Sequence, residues 1–459
     1  MNKKFLIFCA VKIAVPGGED KLKFKEEILM DHKLICEILN SEMELATGCT
    51  EPAAIALCAA NARAHLKGEV AELTVLASVN IIKNAMAAGI PGTSYTGIDY
   101  AAALGAVGGK VERQLQVVDE ASEEERRQAV ALVQGGHVRM GKKDTPEKLY
   151  VEVEVKSADG HQAKAIIASA HTNVVRIEED GVAVVDHELG TLVNGVPVDV
   201  IDETLSIQTI FDFVNELDRE KDDLHMIEQA IAVNTRIAEE GMKGDYGLNI
   251  GRNIAKAKKA GYMSDDLVTN AMEVTASGAD ARMAGANVPV VTNSGSGNQG
   301  ITATMPVVSA AKTLGIDEDK MFRAVTLSHL IGIHIHCRFG LLSGLCGATV
   351  AGTGSACGLV YLLGGSAQQI GYAVNNMLGD VTGMLCDGAK ADCALKISTC
   401  VNTAFQCAFM ALDNVCVQPS DGIVDRDPEQ TIKNFVRLGN EGSPVMDDIV
   451  LDVMLTKQK

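Results

Sequence analysis

Cysteine residues between positions 343 and 400 are the side chains best suited to chemistry. Five of the twelve cysteines of this 459-residue chain lie there. Cys386 and Cys393 flank the loop-like sequence DGAKAD, and Cys346 precedes them in a segment rich in Gly, Ala, Ser and Thr. Three widely spaced soft thiolates favour an iron–sulfur cluster with one open iron, whereas zinc prefers close C-x2-C pairs, which this chain lacks. Because free cysteine also packs well as a small apolar residue, a structural role stays open for all three.

Cys49 is a second candidate because of its place in the chain. A break at residues 47–49 separates two predicted helices, of which the second covers residues 52–65 with Thr50 as its N-cap. The positive end of a helix dipole lowers the pKa of a thiol, although the neighbouring Glu51 opposes this effect. The pattern therefore predicts a reactive cysteine at the start of the second helix.

A glycine-rich loop at residues 293–300 reads NSGSGNQG and contains the spacing G-x-G-x-x-G. A dinucleotide-binding fold would need an acidic residue on a second strand about 20 positions later, but Asp317 and Glu318 open a predicted helix instead. Backbone N–H groups at a helix N-terminus are better suited here to a carboxylate. The side chains predicted to contact a substrate, from this loop and from the end of a predicted strand at residues 70–79, are Ser294, Asn298, Gln299, Lys83 and Asn84.

Other polar candidates have structural alternatives. Arg282 could bind a substrate carboxylate, or it could pair with a nearby aspartate. His334 and His336 are two positions apart, which places them on different faces of a helix and disfavours a shared metal site. His171 follows a predicted strand. For the histidines we favour a structural role.

Hydrophobic periodicity places these candidates in a protein of the α+β class. We predict an N-terminal helix pair and a small antiparallel α+β domain within residues 1–200. An all-α C-terminal domain that carries the cluster cysteines follows in residues 201–459, because strand patterns fade there and helical ones repeat. The predicted strands are 70–79, 150–155, 163–170 and 174–178.

Composition and charge limit the partners of the chain. Its formal net charge of −19, from 60 acidic and 41 basic residues, disfavours nucleic acid and anionic lipid. Residues 339–379 carry no charge, but repeated polar residues and glycines predict a buried helix pair and no membrane span. Lys12 interrupts the only signal-like apolar run, and irregularly spaced cysteines are typical of reduced thiols, so we expect a cytoplasmic protein.

Three stretches resemble the L-cysteine desulfidases of bacteria and archaea, which are iron–sulfur lyases related to the catalytic domain of iron–sulfur L-serine dehydratases. They are GCTEP at residues 48–52, the run at residues 264–308, and the cysteine pattern described above. The likeness extends from about residue 31 to the C-terminus. It implies a [4Fe–4S] cluster held by Cys346, Cys386 and Cys393, with Cys49 as the proton acceptor. The implied reaction converts L-cysteine and water to pyruvate, ammonia and hydrogen sulfide without pyridoxal phosphate.

Two alternatives stay open. An L-serine dehydratase would use the same cluster on a substrate with a hydroxyl leaving group, and a redox or iron sensor would hold its cluster with four protein ligands. The expected partner is a small-molecule amino acid, and the sequence leaves a homodimer open. Since members of the family begin near the position of Met30, we expect that residues 1–29 are a non-native extension that is not translated in the cell.

Overall fold

Strands are concentrated between residues 70 and 186, and helices dominate the rest of the residues that the structure describes. The computed structural model describes residues 31–193, 195–340 and 342–457. The chain divides into two units, Met1–Asp31 and His32–Lys459, and the elements below belong to the second. The predicted extension at residues 1–29 lies outside the described residues. The change from strands to helices near residue 200 falls inside the second unit, and a domain boundary there stays a prediction.

Most of the described strands lie before residue 200, and the short strand Pro289–Val291 is the exception. The helices before residue 200 are α1 His32–Glu42, α2 Thr50–Ala64, α3 Val79–Ala85, α4 Ile98–Gly108 and α5 Glu123–Gln134. Those that follow, up to residue 336, are α6 Val198–Thr204, α7 Ile207–Glu216, α8 His225–Lys243, α9 Ile250–Lys259, α10 Leu267–Met283, α11 Gly297–Leu314 and α12 Glu318–His336. The remaining helices are α13 Gly347–Leu362, α14 Ala367–Asp380, α15 Cys393–Leu412, α16 Pro428–Arg437 and α17 Ser443–Thr456.

Eight strands form two sheets among the described residues. The strands are β1 Leu45–Thr47, β2 Val70–Ala77, β3 Val138–Lys142, β4 Tyr150–Ser157, β5 Gln162–Ala168, β6 Val174–Glu179, β7 Val182–Asp186 and β8 Pro289–Val291. The larger sheet has the order β3-β2-β4-β5-β6-β7, and all of its pairings are antiparallel except that of β2 with β3. The smaller sheet pairs β1 with β8 antiparallel, which ties the first part of the chain to the helical part.

Alternating burial explains how the larger sheet holds α2. Val151, Val153 and Val155 of β4 are fully buried, because successive side chains of a strand point to opposite faces. The α2 helix packs against β4 and β5, and the Cys58 thiol donates to the Ala165 carbonyl at 3.2 Å. The sheet therefore fixes the position of α2 and of the residues at its N-terminus.

Small residues allow the helices of the second part to pack closely. The α13 helix is buried along nearly its whole length and packs against α11, α12, α14 and α15. A Cβ atom at Gly354 would overlap the backbone carbonyl of Ser328 on α12. This close packing explains the uncharged run at residues 339–379. Within the described part of the chain, none of the helices has the length and apolar character of a membrane span.

The predicted α+β class is confirmed, with several local corrections. The segment that contains Lys83 and Asn84 is the helix α3 and not a loop, and Cys49, not Thr50, is the N-cap of α2. Sequence patterns missed β7, whose residues are mostly exposed and lack the alternation of a half-buried strand. They also missed β3, α6, α9 and α17. The C-terminal half contains the short strand β8 as well as helices.

Candidate active site

A cavity of about 110 Å³ lies where helix N-termini from both parts of the chain meet. Its walls combine thiols, amides, a carboxylate, a guanidinium and imidazoles. The polar and thiol side chains that line it are Thr50, Glu51, Asn84, His171, Arg282, Ser296, Asn298, Gln299, His336, Ser343, Cys346, Cys386 and Cys393. The three cysteines predicted as cluster ligands therefore face one cavity, together with three of the five predicted substrate contacts.

Backbone pairing holds two of the three cysteines side by side. The N–H of Cys346 donates to the Met384 carbonyl at 2.9 Å, and the N–H of Cys386 donates to the Gly344 carbonyl at the same distance. These bonds flank an antiparallel bridge between residues 345 and 385. Cys393 is the first residue of α15. The β-bridge between residues 345 and 385 thus positions Cys346 and Cys386, and the start of α15 positions Cys393.

Four helix N-termini surround the cavity. Cys346 is the N-cap of α13, Cys393 opens α15, Cys49 is the N-cap of α2, and Ser296 is the N-cap of α11. The side chain of Ser296 accepts from the backbone N–H of Gln299 at 3.4 Å. Since each helix N-terminus carries partial positive charge, the four helix ends favour a bound carboxylate in the cavity.

The donor set fits an iron–sulfur cluster better than a single ion. Among the described residues, no three His, Cys, Asp or Glu side chains converge closely enough to hold one metal ion. A cluster binds each thiolate through a different iron, so its ligands need not meet at one point. Burial raises the pKa of Cys346 well above the usual range, with Cys386 and Cys400 adding to the rise, and burial also raises the pKa of Cys393. Cationic iron would stabilise these thiols as thiolates, and its binding would release protons.

Cys49 lies behind the wall of this cavity. Its side chain is 1% exposed, packs with Cys393, and has its Sγ atom 3.9 Å from the Sδ atom of Met283. Burial raises the pKa of Cys49 to about 12; the Arg282 guanidinium lowers it, and Glu51 and Cys393 add to the rise. The helix start therefore does not give the lowered thiol pKa that the sequence predicts, because removal from water outweighs the dipole.

Several buried polar atoms at the cavity have no hydrogen-bond partner within the described chain. These atoms are Arg282 Nε, Asn84 Oδ1, Asn298 Oδ1, Gln299 Oε1 and both ring nitrogens of His171. Leaving such groups unpaired costs free energy, so a site with this many of them is suited to a polar ligand. A guanidinium matches a carboxylate, and amide oxygens match an ammonium group. The arrangement therefore matches the two charged ends of an amino acid.

A second layer of contacts orients the wall near α2. The Asn84 amide donates to Glu51 Oε1 at 2.8 Å, and the Thr50 hydroxyl donates to Glu51 Oε2 at 3.2 Å. Burial lowers the pKa of His171, and it lowers the pKa of His336 to about 4. Both rings are therefore neutral at pH 7. Glu51 was not predicted as a site residue, although its position in the GCTEP motif could have indicated it.

Two predicted substrate contacts do not line the cavity. Lys83 is 1% exposed and its ammonium group forms a 2.6 Å ion pair with Asp447, so it is not free to bind a substrate carboxylate. Ser294 is also 1% exposed, and its backbone N–H donates to the Glu42 carbonyl at 2.8 Å. In both cases distant parts of the chain cover a side chain that local sequence predicts to be accessible.

Arg282 has the position that its substrate role requires. It is 3% exposed, lines the cavity, and has no ion pair with Asp280, whose side chain instead accepts from the backbone N–H of Gly251 at 3.1 Å. A structural role was expected for both His334 and His336, and the two residues have different surroundings. His334 is paired with Glu429 at 2.7 Å, whereas His336 lines the cavity.

Comparison with known proteins places these features in a family. A model of the serine dehydratase alpha chain matches residues 112–452, a range that includes the three cavity cysteines and Arg282. A UPF0597 protein of Oleidesulfovibrio alaskensis is 41% identical over 424 residues, which cover 92% of this chain and 97% of that protein. A UPF0597 protein of Bacteroides fragilis is 41% identical over 428 residues, covering 93% and 99%, respectively. One from Clostridium perfringens is 40% identical over 430 residues, also covering 93% and 99%.

Proposed function

The chain belongs to the serine dehydratase alpha chain family, which depends on iron–sulfur chemistry, and from this premise we propose that it is an L-cysteine desulfidase. The proposed reaction converts L-cysteine and water to pyruvate, ammonia and hydrogen sulfide. One observation carries the proposal: the cavity that the three thiols line also contains unpaired polar groups suited to binding an amino acid. The resemblance of the GCTEP motif and of residues 264–308 to L-cysteine desulfidases supports cysteine as the substrate.

Cys346, Cys386 and Cys393 would hold a [4Fe–4S] cluster. When bound, the cluster supplies a Lewis-acidic iron without a protein ligand, suited to the sulfur of the substrate. Three described cysteines line the cavity, which supports an open iron and disfavours a sensor with four protein ligands. An anaerobic titration that finds a fourth protein ligand to iron would favour the sensor.

The side chains of the protein bind and orient the substrate. Arg282 binds the carboxylate, and the amide oxygens of Asn298, Gln299 and Asn84 accept hydrogen bonds from the ammonium group. With both ends held, the Cα–H bond and the Cβ–S bond have fixed directions in the cavity, which reduces the entropy cost of the reaction. This orientation is what the chain contributes to substrate selection.

Cys49 moves the proton in this proposal. Its thiolate takes the proton from Cα, the Cβ–S bond breaks, sulfide leaves, and the resulting aminoacrylate tautomerises to an imine that water hydrolyses to pyruvate and ammonia. Since burial holds the pKa of Cys49 near 12 in the empty site and the residue lies behind the cavity wall, its thiol must release its own proton to solvent and its side chain must reach the cavity before it accepts the proton from Cα. The ammonium group of the substrate brings a positive charge that favours the thiolate.

The decisive experiment is an anaerobic assay of cluster-loaded protein with L-cysteine and L-serine in parallel. Pyruvate and sulfide from L-cysteine, with little turnover of L-serine, support the proposal. Preferential turnover of L-serine would instead favour a serine dehydratase, the activity for which the family model is named. Turnover of neither amino acid by protein with full iron content would reject both enzyme functions.

The role of Cys49 has a matched control on the same helix. Cys49→Ala is expected to keep the visible absorbance of the cluster and to lose activity. Cys58→Ala removes another buried α2 thiol, which donates to sheet carbonyls and does not line the cavity. It is expected to keep both properties. Loss of the absorbance in Cys49→Ala alone would make Cys49 a cluster ligand and not the base.

A further inference from the structure

A buried ion pair joins the C-terminal helix to α3. The Nζ atom of Lys83 lies 2.6 Å from Asp447 Oδ1, and the Asn80 amide donates to Asp447 Oδ2 at 2.8 Å. The side chains of Lys83 and Asp447 are 1% and 8% exposed. Residues more than 360 positions apart in the sequence therefore form one buried polar group.

The same group contacts the segment that presents the cluster cysteines. The ammonium group of Lys83 also donates to the Cys386 carbonyl at 3.2 Å. One turn before Asp447, the Ser443 hydroxyl accepts from the backbone N–H of Gly344 at 3.0 Å. Gly344 is the residue whose carbonyl receives the N–H of Cys386. Both α17 and α3 therefore contact the backbone beside the β-bridge between residues 345 and 385.

Close packing leaves this segment little room to move. A Cβ atom at Gly388 would lie 2.5 Å from the Lys83 carbonyl oxygen, and one at Gly344 would lie 2.7 Å from the Ser443 hydroxyl. Gly388 also has a φ of +100°, which side-chain-bearing residues rarely adopt. The loop after Cys386 is therefore fitted directly against α3.

The energetics of buried charges argue against a purely stabilising role for the pair. Removing two charges from water is expensive, and replacing a buried ion pair by neutral residues is often neutral or favourable for stability. The pair does provide a directed donor at the Cys386 backbone, which an apolar replacement cannot reproduce. Groups beyond the direct ligands of a metal set the orientation of those ligands.

We propose that Lys83, Asp447 and Ser443 are positioning residues that hold Cys346 and Cys386 in the arrangement required by the cluster. The proposal rests on the proposed function, since it needs a cluster at these cysteines. It assigns α17 a role in the site although the helix lies at the far end of the chain and contributes no residue to the cavity lining.

The test compares cluster retention with the stability of the folded chain. In the double variant Lys83→Met/Asp447→Asn both charges are removed, and the introduced amide oxygen can still accept from the side chain of Asn80. We expect its anaerobically loaded form to lose visible absorbance to an iron chelator about tenfold faster than the wild type. The melting temperature of the metal-free double variant should equal or exceed that of the metal-free wild type. Asp448→Asn, which breaks an exposed 3.6 Å contact between α17 and Lys142, is the control and should behave as the wild type in both measurements.

Each outcome decides the question. Faster iron loss with unchanged or raised melting temperature supports the positioning role. Equal iron loss in the double variant and the wild type overturns it and leaves the proposed function intact. Faster loss together with a lowered melting temperature assigns the pair a structural role and also overturns the proposal. A wild type that takes up no iron would refute the proposed function itself.

Discussion

Burial and the Asn293 amide group both favour the neutral state of His329 on α12. Its Nε2 atom lies 2.9 Å from the Thr304 hydroxyl and its Nδ1 atom lies 3.1 Å from the Asn293 amide nitrogen. The Thr304 hydroxyl donates to the Gly300 carbonyl at 2.7 Å, so it accepts from Nε2–H. Nδ1 must then accept from the amide of Asn293. Protonation would add a hydrogen to Nδ1 and make it a donor that directly faces the Asn293 N–H donor.

The size and sign of the resulting pH effect follow from this geometry. Burial lowers the pKa of His329 from 6.5 to about 3, and the ring is fully buried. Because the folded-state pKa lies below the unfolded-state value, this stabilising effect is complete above about pH 6.5 and is lost as the pH falls toward 3. Between pH 7.5 and pH 5.5 the unfolding free energy should therefore fall by about 1.4 kcal/mol from His329 alone.

Urea denaturation of wild type and His329→Gln at the two pH values measures this contribution. Both values lie above the sequence isoelectric point of about 5.0, which limits precipitation. We expect His329→Gln to have a lower unfolding free energy than the wild type at pH 7.5. Since only the wild type loses stability through His329, the difference between their unfolding free energies should be about 1.4 kcal/mol smaller at pH 5.5. Equal pH slopes for wild type and His329→Gln would refute the assignment of the ring as a buried neutral acceptor.

Three further predictions concern individual residues. Gly300→Ala should lower the melting temperature strongly, because its Cβ atom would overlap the Val291 carbonyl oxygen, while Gly383→Ala, which meets no atom within 4 Å, should not. Burial raises the pKa of Asp280 to about 6, so its ionisation as the pH rises from about 5.5 to about 7.5 lowers the stability of the wild type. Asp280→Asn lacks this ionisation and should become more stable relative to the wild type over the same range. An unchanged difference between their melting temperatures would contradict this. Arg282→Lys should raise the KM for L-cysteine about 10-fold or more, through loss of a two-point contact with the carboxylate, and an unchanged KM would remove Arg282 from substrate binding.

Sequence periodicity predicted most of the helices after residue 200 and four strands of the larger sheet. These elements carry their own signals, because each buries one face or is buried throughout. The cysteine spacing likewise indicated a shared site, and Cys346, Cys386 and Cys393 do line one cavity. What local patterns cannot show is which distant residue covers a polar side chain. Lys83 was predicted to meet a substrate and is paired instead with Asp447.

The same limit explains the error at Cys49. Its place at the start of a helix was read correctly, but its environment is set by chain segments that sequence spacing does not connect, including Met283 and Cys393. Burial in that environment raises the thiol pKa, the opposite of the helix-dipole effect. The helix-end rule thus predicted the position of the Cys49 thiol correctly and the direction of its pKa shift incorrectly.

The position of Cys49 has a consequence for how such a site can work. A thiol with a pKa near 12 does not react with solvent or with adventitious metal at neutral pH, because almost none of it is thiolate. The three cavity thiols are only partly buried, so in the proposed function iron would stabilise their thiolates directly, whereas Cys49 is buried behind the wall and would depend on charge that enters with the substrate. Burial therefore separates two roles that thiols of identical chemistry could otherwise exchange. In the proposed function, the three at the cavity surface would bind metal, and the fourth would stay protonated until the substrate ammonium group arrives.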